Sequence, residues 1–148
     1  PITVGNFKNL IKLGVYDNTT FHRIVANFMI QGGDPTGTGH GDPNIPKISD
    51  EYSSNASENR NLRGRIAMAN ANDPDRGIYN TGSSQFFILL NDTENLNNKH
   101  PVFGMVINGT AVLDDIGNVQ TVINPETNEK SKPETPVYLI KAIILSEG

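Results

Sequence analysis

Apolar residues recur along this chain at two spacings, and the spacing changes where the elements change. Val4, Phe7, Leu10 and Ile11 return every three or four residues after Pro1 and cease at Gly14. That period predicts an amphipathic helix, because proline suits a first turn, glycine ends a helix, and the apolar stripe covers one end of a core. From residue 20 the period becomes two. Residues 20–25 and 28–31 read as short strands, with Ala26-Asn27 as a tight link and Gly32-Gly33 closing the run. Alternation puts Phe21 and Arg23 on one face and His22 and Ile24 on the other, so an arginine stands on the same surface as large apolar groups. Taken alone, this hairpin reads equally well as a sheet edge with a solvated arginine and a structural Gly-Gly turn.

The remaining pattern is strand and loop. Residues 34–50 are rich in Gly, Pro, Thr and Asp and form a long loop, and residues 53–63 are polar and irregular. Strands are predicted at 65–69, 85–90 and 102–107, separated by a surface loop at 72–83 and a polar loop at 92–100 around Leu96. Asn108-Gly109 ends the third of these strands. Thr110 then reads as the cap of a short helix through Val112, Leu113 and Ile116. Residues 119–134 are polar and turn-rich, and 137–145 read as a last long strand. The sum is about six strands and two helices, a mainly β chain.

Composition narrows the function. The 148 residues fit one domain with a real core, spanning residues 1–148. With 12 basic and 16 acidic residues the net charge is -4, which argues against nucleic acid or an anionic membrane as partner and toward a peptide or small molecule. No apolar run approaches the roughly 20 residues of a membrane span, and no leader opens the chain, so a soluble protein is expected, with the cytoplasm as default compartment. There is no cysteine, hence no disulfide and no thiol nucleophile. His22, His40 and His100 lack ligand spacing, so no metal is expected, and His22 reads as a packed, hydrogen-bonded histidine. Gly37-Thr38-Gly39-His40-Gly41 lacks the Gly-Lys-Ser/Thr ending of a phosphate loop.

Four blocks then occur in a telling order. Phe21-His22-Arg23-Ile24 with Phe28-Met29-Ile30-Gln31-Gly32-Gly33-Asp34 is followed by Met68-Ala69-Asn70-Ala71, Ser84-Gln85-Phe86-Phe87-Ile88 and Lys99-His100-Pro101-Val102-Phe103-Gly104. Together they resemble the cyclophilins, the peptidyl-prolyl cis-trans isomerases, and the likeness runs from Pro1 to the last strand. The resemblance implies a closed antiparallel β-barrel of eight strands capped by two helices. In that family a two-strand hairpin precedes the first helix, and this chain, which starts in the helix, is expected to lack it.

The resemblance also implies an activity: faster rotation about X-Pro bonds of proline-containing polypeptides, in aid of folding, with no cofactor. Arg23 is the catalytic candidate. Phe28, Met29, Phe87 and Leu96 are the walls of a proline pocket with His100 at its rim, and the loop at 34–50 borders a secondary pocket. Gln31 and Gln85 are expected to bond substrate carbonyls or to hold Arg23, and Ala69 and Asn70 to pair with the peptide backbone. One position departs from the family: where many members carry Trp before this leucine, the chain has Asn95 in Glu94-Asn95-Leu96. Weakened cyclosporin binding with retained isomerase activity is the expectation. The segment 72–83 is longer than is usual there. The competing reading is a non-catalytic proline-peptide-binding or scaffold module on the same fold; Arg23 speaks against it, since a pure binder has little use for a charge beside an apolar slot, while the expected lack of the first hairpin, which loosens the barrel around Arg23, speaks for it.

Overall fold

The computed structural model describes residues 1–146. Its first helix, α1 (Ile2–Lys12), buries Leu10 and packs Phe7 and Ile11 on the main core, while Val4 remains 36% exposed. The helix ends as the sequence predicts. Gly14, at a φ of 72°, bonds Ile11 O through its N–H, and Val15 N reaches Leu10 O, the paired closure that a left-handed glycine permits. At the other end Glu51 accepts from the N–H groups of Ile2 and Thr3, replacing a side-chain cap that Pro1 cannot supply.

Nine strands form among the described residues: β1 (Thr19–Thr20), β2 (Arg23–Val25), β3 (Met29–Gly32), β4 (Arg65–Met68), β5 (Phe86–Leu89), β6 (Val102–Met105), β7 (Thr121–Ile123), β8 (Lys130–Pro133) and β9 (Tyr138–Leu139), with helix α2 (Thr110–Gly117) between β6 and β7. The fold is mainly β with two helices, as expected. Five strands make one antiparallel sheet in the order β2-β3-β5-β4-β6, β1 pairs with β9, and β7 pairs with β8.

Register in the large sheet sorts its side chains into two layers. Ile24, Ile30, Ile88 and Ile66 oppose one another across four strands and face the main core with Tyr16, Phe21, Phe86 and Leu113. Within this layer Phe86 meets Phe7, Tyr16 and Phe21 edge-on at centroid distances of 5.6, 5.6 and 6.4 Å, an arrangement that aromatic quadrupoles favour. One residue over, Arg23, Gln31, Phe87 and Ala67 form the corresponding row. They point the other way, toward a second cluster of Met29, Ala67, Phe87 and Leu89. The sheet therefore separates a structural layer from a layer that meets solvent, and Arg23 lies on the latter.

Several expectations are corrected. Phe21 does not share a face with Arg23, because the strand is interrupted: β1 ends at Thr20, β2 begins at Arg23, and Phe21 turns into the main core beside Ile24. The hairpin link is three residues, not two. Val25 pairs with Met29, Asn27 takes a φ of 60° and Phe28 N bonds Val25 O, so Phe28 belongs to the turn. Gly109, at a φ of 89°, caps α2 in place of Thr110, which is already helical. Residues 119–134 contain the β7–β8 hairpin. The last strand is two residues long: Tyr138 and Leu139 pair with β1, the flanking Val137 O and Ile140 O accept from Phe21 N and Asn18 N, and Ile140, Ile143 and Leu145 are exposed.

Candidate functional site

A cavity of about 370 Å³ opens on the solvent-facing layer and is lined by Arg23, Phe28, Met29, Gln31, Ala69, Asn70, Phe87, Leu96 and His100. The cross-strand row explains its floor. Phe87 and Met29 are 4% and 1% exposed, held by β5 and β3. Phe28 leans in from the hairpin turn, and Leu96 from a 3-10 turn, Glu94–Leu96. Apolar walls of this kind take an aliphatic ring without desolvating anything polar.

The polar edge is built by relay. Arg23 Nη1 donates to Gln31 Oε1 at 3.1 Å, Gln31 Nε2 donates to Gln85 Oε1 at 3.0 Å, and Gln85 Nε2 donates to Gly39 O at 3.1 Å. Each amide is thereby fixed in one orientation, since a carbonyl at the end of the series can only accept. Gln85 thus stands one step behind the cavity wall, while Arg23 Cζ lies 5.9 Å from the Phe28 ring centre and Nη1 3.9 Å from Met29 Sδ.

At the rim, His100 Nδ1 is 2.9 Å from Met68 O. A carbonyl cannot donate, so Nδ1 carries the proton and Nε2 its lone pair. Burial pushes the imidazole below its ordinary pKa, which keeps it neutral near pH 7, and the ring sits edge-on to Phe87 at 5.3 Å. Asn70 commits its amide N–H to Lys99 O at 2.8 Å and accepts from Asn72 N; Ala69 N–H is bonded to Gln85 O. Asn95 is exposed and lies outside the cavity lining. The cavity thus brings together nine of the predicted residues and leaves Gln85 and Asn95 outside its wall.

Two residues escaped the sequence reading. Glu129, at the end of the β7–β8 turn, binds Arg23 in parallel bonds, Nε to Oε1 at 2.8 Å and Nη2 to Oε2 at 2.9 Å. The guanidinium holds this carboxyl below the usual carboxylate range. Nothing local to Glu129 signals this, as 106 residues separate the partners; the β-branched run Thr121-Val122-Ile123 before Asn124-Pro125 is the trace of the hairpin that carries it. Asp34 is the other. It is fully buried and takes four bonds, from Thr36 N, Thr36 Oγ1, Gly39 N and Gly41 N, so it shapes the loop whose Gly39 carbonyl ends the amide relay. Burial alone raises its pKa, but these bonds outweigh that and hold it low. His22 is half-buried with Nδ1 unpartnered, so it is packed but not bonded as expected at that nitrogen.

Comparison with known proteins agrees with this arrangement. The family model described as cyclophilin type peptidyl-prolyl cis-trans isomerase matches residues 1–143. The chain is 41% identical to peptidyl-prolyl cis-trans isomerase ppi1 of Schizosaccharomyces pombe, over 98% of this chain and 86% of that protein. It is 42% identical to the human peptidyl-prolyl cis-trans isomerase-like 1, over 96% and 78%. Among solved structures, a Cryptosporidium parvum cyclophilin-type isomerase crystallised in the presence of the dipeptide Ala-Pro superposes with a TM-score of 0.83 at 33% identity, covering 99% of this chain and 86% of that one.

Proposed function

Because the chain belongs to the cyclophilin-type peptidyl-prolyl cis-trans isomerases and catalyses rotation about X-Pro bonds, we propose that Arg23 is its catalytic group and the 370 Å³ cavity its proline pocket. The observation that carries this reading is the guanidinium held at the edge of an apolar slot by Gln31. Rotation crosses a barrier of roughly 18–20 kcal/mol, set by amide resonance. No bond is made or cut, so the site has only to grip the ring and favour the twisted amide. As conjugation is lost, the prolyl nitrogen becomes pyramidal and gains a lone pair. A fixed donor aimed there stabilises the twisted state more than either planar one.

Phe28, Met29, Phe87 and Leu96 take the pyrrolidine, and His100 closes the rim in its neutral form. Gln31 orients Arg23 while Gln85 and Gly39 orient Gln31. Ala69 and Asn70 meet the substrate main chain. The substrates are proline-containing polypeptides. Arg23→Ala lowers kcat/KM in a protease-coupled assay on a proline tetrapeptide by about a hundredfold, the scale of removing one transition-state donor; equal rates refute the assignment. Asn95 offers cyclosporin no aromatic surface at the exposed edge of the 3-10 turn, and calorimetric titration is expected to give weak binding. Tight binding contradicts that expectation.

A further inference from the structure

We infer that Glu129 is a positioning residue for the isomerase: its carboxylate grips one edge of Arg23 from outside the proline pocket and so determines which edge of the guanidinium meets the substrate. This rests on the role proposed for Arg23. Arg23 and Gln31 form the partition between the proline pocket and a second cavity, of about 500 Å³, whose far wall is the β7–β8 hairpin. From that side Glu129 occupies the Nε and Nη2 edge, while Nη1 is turned to Gln31 and Met29 on the pocket side. The substrate is left the Nη1 proton that Gln31 does not take, the one facing Met29 Sδ, and the outer proton of Nη2.

Orientation, not stability, is what such a pair supplies. Both side chains are 35% exposed, where an ion pair adds little to folding. A single bond from Nη1 to Gln31 leaves the guanidinium plane free to swivel. Two parallel bonds to a planar carboxylate fix the plane, and a donor aimed at a developing lone pair needs alignment within roughly 10–20°. The carboxylate is itself presented on a closed turn: Asn124 N bonds Glu129 O at 2.7 Å, Asn128 N bonds Asn124 O at 2.8 Å, and Asn128 takes a φ of 58°. Glu126, on the same turn, pairs instead with His40 at 3.0 Å.

The test compares Glu129→Ala, Glu129→Gln and the control Glu126→Gln with the wild type in two readouts: steady-state kcat and KM on a proline peptide, and the Arg23 Nε–H resonance of the labelled protein. Glu129→Ala is expected to lower kcat about tenfold with KM within about twofold and to remove the slowly exchanging Nε–H signal. Glu129→Gln, which keeps one acceptor, falls between, and Glu126→Gln matches the wild type in both readouts. A purely structural role changes melting temperature and leaves kcat per folded molecule and the resonance as they were, and that result overturns the inference. Should wild type and Arg23→Ala turn over peptide equally, the role of Arg23 fails, yet the Nε–H signal still decides whether Glu129 holds it.

Discussion

Asp34 shows how a single side chain organises the site without touching it. Its Oδ2 accepts from Gly39 N at 2.7 Å and Gly41 N at 3.0 Å, and Oδ1 takes both donors of Thr36. The loop it gathers delivers Gly39 O to Gln85 and thence, through Gln31, orientation to Arg23. Because the folded pKa is depressed, the stability this group contributes is fully present above its unfolded value of about 3.9 and is lost as pH falls below that toward the folded value. Asp34→Asn keeps one acceptor oxygen but turns an NH₂ toward N–H donors. It is expected to cost about 1–3 kcal/mol at pH 7 and to flatten the acid limb of a stability-against-pH curve measured by urea unfolding; an unchanged acid limb would count against Asp34 as its source.

At the scale of elements, Gly33 joins β3 to that loop. It has a φ of 85°, and a Cβ there would lie 2.6 Å from Ser84 O and 2.8 Å from Phe86 Cδ1, while its own carbonyl takes the Ser84 hydroxyl. The backbone cannot yield without parting β3 from β5. Gly33→Ala combines left-handed strain of about 1–2 kcal/mol with overpacking of about 1–3 kcal/mol, which for a domain of this size lowers Tm by roughly 5–15 °C. A calorimetric Tm within 2 °C of wild type, on the same scale, would show the close approach to be relieved cheaply.

The same elements show what was legible in the sequence. Period and punctuation are local, so the sequence predicts α1 with its glycine stop, β4, β5 and β6 within a few residues, and most of the cavity lining follows from the four family-like blocks. Alternation misplaces Phe21 because it holds only within an unbroken strand, and the strand is interrupted between Thr20 and Arg23. The β7–β8 hairpin looks like turns in the sequence since Lys130 and Lys132 are exposed while Ser131 and Pro133 point in, an alternation without large apolar residues. Glu129 went unseen with it.

Across the whole molecule, one sheet presents isoleucines to the core and Arg23, Gln31 and Phe87 to the opposite side. Three segments converge on the guanidinium: the adjoining Phe28 turn, the Gly39 loop that acts through Gln85 and Gln31, and the Glu129 turn, 106 residues along the chain. The fold thereby holds a donor beside an apolar slot, and on the role proposed for Arg23 that donor is what separates accelerating an X-Pro rotation from merely binding proline. Exchange NMR on a proline peptide reports both properties from one sample, binding from shift changes and catalysis from cis-trans exchange peaks. For Arg23→Ala the account predicts a dissociation constant within about threefold of wild type and an exchange rate about a hundredfold lower. Binding and exchange lost in parallel, or exchange undiminished, would contradict it.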